Sequence, residues 1–188
     1  MPRILGIDPG LTRCGVGVID LGASRKVSLV EVDVFRSDPG LALEARIGLI
    51  GEDLEQLIER VRPDSIALER VYADVNVRSV MGTAQISGVA LFLANKHGNP
   101  IYLHTPTEVK AAVTGSGRAA KAQVGNMVAK ILGLSEVPRP ADAADSLAIA
   151  ICHAWRGSGA ALPNSEALTD AQQKWHAAVR AASAKREG

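Results

Sequence analysis

Four acidic residues stand where an acid is costly unless it meets a cation. Asp8 closes the apolar run Ile4-Leu5-Gly6-Ile7, and Glu69 closes Ile66-Ala67-Leu68. Asp142 and Asp145 fall within Ala141-Asp142-Ala143-Ala144-Asp145-Ser146-Leu147-Ala148-Ile149, one helical turn apart and on one face. The positions three, four and seven beyond Asp145 are Ala148, Ile149 and Cys152, so this acid sits on an apolar stripe. The other three have local explanations. Asp8 precedes the turn-forming Pro9-Gly10. Glu69 has Arg70 beside it, and Asp142 suits the first turn of a helix. Asp145 has no such explanation. Gathered at one edge of a sheet, four carboxylates cannot all stay ionised without cations. A donor set of oxygens, with no His or Cys cluster, favours Mg²⁺ or Mn²⁺ over zinc. Two such ions about 4 Å apart serve phosphodiester cleavage, one activating the attacking water and the other stabilising the leaving oxygen.

The elements that must carry these acids follow from periodicity. Arg3–Asp8 reads as a short strand, Cys14–Asp20 as a second and Val27–Phe35 as a third, joined by short links into an antiparallel meander. Val30, Val32 and Val34 are expected to share the apolar face of the third strand. Residues 41–61 repeat apolar side chains at helical spacing from Leu43 to Val61, and Pro63 ends that helix. Ser65–Leu68 is a strand leading to Glu69. Val77–His97 predicts a helix apolar or small on nearly every face, with Gly82, Ala84, Ser87 and Gly88 permitting close approach of a second copy. A strand at Pro100–His104, a helix opened by Thr105-Pro106, a break at Gly115-Ser116-Gly117 and helices at Lys121–Leu132 and Ala141–Trp155 complete the pattern. This order fits an α/β domain over residues 1–156. Gly157-Ser158-Gly159 then reads as a linker to an Ala-, Lys- and Arg-rich appendage over 157–188, loosely helical around 169–182.

Composition narrows the class. The chain has 188 residues, 47% of them hydrophobic and only 3% aromatic, so its core must be aliphatic. No apolar run is long enough to span a bilayer, and the start lacks a secretory pattern. Cys14 and Cys152 both sit in apolar segments and read as buried thiols in a reducing cytoplasm. The net charge is only +1, yet it is unevenly spread: residues 31–69 sum to −6 and residues 70–139 to +5. Such a chain can offer one basic face to nucleic acid while staying near neutral.

Three stretches in this order resemble the RuvC family of Holliday-junction resolvases: Ile4-Leu5-Gly6-Ile7-Asp8-Pro9-Gly10, Ala67-Leu68-Glu69-Arg70-Val71-Tyr72, and Ala141 through Ala150 with its Asp-Ala-Ala-Asp core. Gly88-Val89-Ala90 and Gly115-Ser116-Gly117 with Lys121 match in order and spacing, so the likeness covers about residues 3–155. The resemblance implies a ribonuclease-H-like fold, a mixed five-stranded sheet flanked by helices. It implies an endonuclease that resolves four-way DNA junctions during recombination and repair, as a homodimer making paired nicks of like polarity. Asp8, Glu69, Asp142 and Asp145 match the family's metal-binding carboxylates, for two Mg²⁺ per site with Mn²⁺ as a substitute. Lys110 and Lys121 match basic residues near the scissile strand, and Tyr72 an aromatic that stacks on bases. Asp74 departs from the pattern, because relatives often carry a basic residue near this position. Arg78 and Arg118 are added as DNA contacts on charge and position alone. The family also implies a branch-migration motor as partner and a bacterial cytoplasmic setting at the nucleoid.

Three alternatives stand beside this reading. An actin-like kinase needs a second phosphate loop and a second domain, for which 188 residues leave no room. Another ribonuclease-H-like nuclease would act on RNA–DNA hybrids. A silent junction-binding scaffold would keep the basic face without the chemistry, but all four acids are present.

Overall fold

The computed structural model describes residues 1–70 and 77–156, with the backbone alone at 77–79. Tyr72, Asp74 and the appendage 157–188 lie outside the described residues. Three strands open the chain as the alternation predicts: β1 (Arg3–Asp8), β2 (Arg13–Leu21) and β3 (Val27–Arg36), each antiparallel to the last. One expectation for β3 fails. The ladder slips between Val18 and Ile19, which pair with Glu31 and Leu29, so Val30 is a bulged extra residue. It leaves the apolar alternation and is 40% exposed, while Val34 stays buried.

Helix α1 (Leu43–Val61) then crosses to β4 (Ser65–Glu69), which pairs parallel to β1. Helix α2 (Val77–Lys96) leads to β5 (Ile101–His104), parallel to β4. The finished sheet has the order β3-β2-β1-β4-β5. Helices α3 (Pro106–Thr114), α4 (Lys121–Leu132) and α5 (Ala141–Arg156) follow. Thr105 caps α3 through a reciprocal box. Its side chain accepts from the Glu108 N–H at 3.1 Å, and its own N–H donates to Glu108 Oε2 at 2.8 Å.

Strand alternation sorts the core into two layers. Leu5, Ile7, Ile66 and Leu68 pack with Ile50, Leu54 and Ile58 of α1 and Ile86 and Leu93 of α2. Ile4, Ile19 and Ala67 pack on the other side with α3, α4 and α5. Leu147, Ile149 and Ile151 of α5 are fully buried there, each contributing about 1.5–3 kcal/mol. That burial offsets the cost of keeping two acids in the same helix. The expected helical stripe of α1 holds from Ile50 to Val61, but Leu43 at its start is 46% exposed. Cys14 and Cys152 are free and buried, as expected, and burial pushes their thiols up to about 12 and about 11.

Candidate active site

Two of the four acids are set by sheet register. Ile7 of β1 pairs with Leu68 of the parallel β4, so Asp8 and Glu69 are the next residues on adjacent strands. Both fall on the α5 face, because the alternation that turns Ile7 and Leu68 toward α1 and α2 turns their successors the other way. The other two acids arrive on α5. Asp142 lies in its first turn and Asp145 one turn on, above the buried Ala148, Ile149 and Cys152.

Glycines let the helix settle directly on the sheet. Gly15 of β2 pairs with Asp8 across the ladder, and a side-chain carbon there would collide with the Asp142 carbonyl. At Gly6 it would collide with the Ser146 carbonyl. Without these hydrogens-only positions, α5 would stand off by the width of a methyl group, and its carboxylates would miss the strand ends.

The electrostatics reflect the crowding. Burial, and then the charges of Glu69, Asp145 and Asp142, push the Asp8 carboxyl up to about 8. Glu69 is also raised, first by burial and then by Asp145, with Lys121 and Lys110 opposing. Lys121 donates to Asp145 Oδ2 at 3.2 Å, and its ammonium is raised mainly by that carboxylate, with Asp8 and Glu69 adding to the effect. A cavity of about 250 Å³ is lined by Asp8, Glu69, Asp145, Lys110 and Lys121, with Pro106, Val109, Val124 and Ile149 as its apolar wall. Asp142 lines the adjoining groove on the side of Arg13. Its Oδ2 lies 3.1 Å from Arg13 Nε, but that N–H is not aimed at it, and the buried oxygen accepts no hydrogen bond.

These residues suit a hard divalent cation. The donors are all carboxylate oxygens, one of them is buried without a donor, and a lysine ammonium already sits among them as a point charge. The tightest grouping of ligand atoms among the described residues is elsewhere. Glu55, Glu59 and His97 come within 4.8 Å of one another on the α1–α2 side. Glu55 there already pairs with Lys96 Nζ at 2.9 Å, and His97 Nε2 lies 2.8 Å from the same oxygen.

The sequence expectations divide accordingly. Asp8, Glu69, Asp145, Lys110 and Lys121 meet in one cavity, whereas Asp142 lines another groove with Arg13. Arg118 is exposed and does not line that cavity. Arg78 belongs to α2, but its side chain lies outside the described residues, as does Tyr72. His153, whose direction the sequence leaves open, faces the core. It stacks on Tyr102 with ring centres 4.5 Å apart and meets His104 at 3.2 Å. Burial lowers both imidazoles, His153 to about 4, so the pair stays neutral. Arg13 is the residue the sequence reading missed. Its signal was position: the first residue of a strand antiparallel to β1 must lie at the sheet edge where β1 ends.

An acid-lined cavity at the strand ends of a ribonuclease-H-like sheet defines a class, the metal-assisted nucleases of that fold. The family model for crossover junction endodeoxyribonuclease RuvC matches residues 4–153. The protein of that name from Leifsonia xyli is 54% identical over 191 residues, covering 95% of this chain and 92% of its own length. That from Parafrankia is 56% identical over 170 residues, covering 90% and 94%. The T. thermophilus RuvC solved in complex with Holliday junction substrate superposes with a TM-score of 0.79 at 35% identity, covering 83% of this chain and 94% of its own. The chain belongs to the RuvC family of crossover junction endodeoxyribonucleases.

Proposed function

We propose that this chain resolves four-way DNA junctions by Mg²⁺-dependent nicking, with Asp8, Glu69, Asp142 and Asp145 as the metal-holding residues. The observation that carries the reading is the meeting of two strand-end acids with the acidic face of α5, in a family of named junction nucleases. The T. thermophilus relative was solved with a Holliday junction, which supports the same substrate here. When bound, two Mg²⁺ ions, or Mn²⁺ in their place, supply Lewis-acid activation at the phosphate. The chain's own part is to fix the carboxylates and bring Lys121 and Lys110 into the same cavity. In this reading both ammonium groups hold the scissile phosphate, which their presence in the acid-lined cavity supports. In the same reading Tyr72 stacks on an opened base, and Arg78 and Arg118 contact the DNA backbone.

Paired nicks need two sites, and α2 supports a homodimer. Met81, Ala84, Gly88 and Phe92 form one exposed stripe, with Met81 55% and Phe92 64% exposed. Of the small residues expected at this seam, Ala84 and Gly88 point outward, whereas Gly82 and Ser87 are buried in their own chain. Residues 1–156 form the nuclease domain and 157–188 an appendage. A branch-migration motor is the partner the family implies, in a bacterial cytoplasm. Among the described residues no helix is long and apolar enough to cross a membrane.

The deciding experiment incubates the protein with a synthetic four-way junction, a linear duplex and an RNA–DNA hybrid, each with Mg²⁺ and with chelator. Symmetric nicks with 5′-phosphate ends in the junction alone, and only with Mg²⁺, are expected. Preferential cutting of the hybrid would move the chain to another nuclease class, and binding without cutting would make it a scaffold.

A further inference from the structure

We propose that Arg13 is a positioning residue that holds Asp142 in place of a metal ion and yields it when the ion binds. The inference rests on the carboxylate quartet being the metal site. Three features of the geometry carry it.

The first is the unequal distribution of the four acids. Asp8, Glu69 and Asp145 line one cavity, while Asp142 lines the neighbouring groove of about 800 Å³ together with Arg13. The Asp142 backbone is pinned against Gly15, so the carboxylate can change partners only by rotating its side chain. The second is the quality of the contact. Arg13 Nε is 3.1 Å from Asp142 Oδ2, yet the buried oxygen receives no hydrogen bond. Arg13 therefore supplies charge without the directed, forked contact that makes an arginine–carboxylate pair strong. The third is the difference in exposure. The Arg13 side chain is 53% exposed against 21% for Asp142, so the guanidinium can swing into water while the acid stays at the site.

Arg46 lines the same groove and provides the contrast. Its Nε donates to Ser37 Oγ at 3.0 Å and its Nη2 to Thr12 Oγ1 at 2.9 Å. It is fixed to the groove wall and makes no ion pair with Asp142. Neutralising either arginine removes one positive charge from the groove, but only Arg13 must leave for an ion to take Asp142.

The test is Mn²⁺ binding to the full chain without DNA, followed by loss of the free-ion electron paramagnetic resonance signal. An exposed ion pair of this kind corresponds to tightening by about 2- to 5-fold in Arg13→Gln. Arg13→Lys, which keeps the charge, should return to the wild-type affinity, and Arg46→Gln should stay there. Wild-type affinity in Arg13→Gln overturns the proposal. Equal tightening in Arg46→Gln also overturns it, because the effect would then be that of the general field. Asp8→Asn separates the two levels of the argument. If it abolishes Mn²⁺ binding, the quartet stands and the arginine variants decide. If it binds as wild type, the quartet and the proposal fall together. Thermal unfolding in chelator checks that every variant is folded.

Discussion

Gly15 of β2 lies directly beneath the Asp142 carbonyl of α5, in the ladder position opposite Asp8. One hydrogen-sized position thus sets the distance between a strand-borne and a helix-borne carboxylate. Gly15→Ala should lower stability by about 1–3 kcal/mol, the usual cost of overpacking. Cleavage should fall much further than the lost stability explains, because α5 must lift away from the strand ends. Unfolding and single-turnover cleavage at a temperature where the variant is fully folded would check this. A variant that cleaves normally would show that helix height does not matter.

Asp8→Asn should reduce cleavage by more than about 100-fold, since on the proposed assignment it removes a charged ligand outright, and even outer-shell changes cost about 10–100-fold. Junction affinity should persist, because binding rests on basic residues contacting phosphates. Gel-shift and cleavage assays on one junction separate the two. Parallel loss of both would mean that site and binding surface are not separate.

The raised Asp8 carboxyl predicts two opposite responses to pH. In the unfolded chain this group ionises near 3.8, and in the folded, metal-free protein near 8. A raised folded value gives stability that is full below the unfolded value and is lost as pH climbs through the folded one. The metal-free protein should therefore weaken between about pH 4 and pH 8. Asp8→Asn should flatten that decline, read as Tm against pH in chelator. Metal affinity should rise over the same window, with protons released on binding, as calorimetry in buffers of different ionisation heat would show. Parallel Tm profiles for the two proteins would remove Asp8 as the titrating group.

Phe92→Glu should dissociate the proposed dimer. In a two-fold interface each substitution occurs twice, so two like charges would meet in an apolar seam. Light scattering should report a monomer at micromolar concentration. The monomer should nick junctions one strand at a time, without coupling. An unaltered dimer would place the seam away from the exposed stripe of α2.

Much of this was legible from residue spacing. The alternation in β1 and β4, the stripe in α1 and the apolar face beneath Asp145 all reflect local periods that tertiary contacts reinforce. The parts that escaped depend on pairing. Val30 looked equivalent to Val32 until a bulge between paired strands moved it outward. Leu43 continued the helical stripe by spacing, but it is the first residue of α1 and stays 46% exposed. Arg13 could not be linked to Asp142 because 129 positions separate them, and only the seating of α5 on β2 brings them together. His153 had two possible directions, and the ring of Tyr102 on β5 decided between them.

The order of the acids along the chain has a consequence for how the protein is made. Asp8 and Glu69 emerge early, on strands, but Asp142 and Asp145 wait for the last described helix. Every unfinished polypeptide up to that point carries only half of the proposed carboxylate set. A chain truncated before α5 would retain Asp8 and Glu69 but lack Asp142 and Asp145. On the proposed assignment, cutting therefore depends on the docking of α5, and a fragment that stops short of it should leave junctions intact.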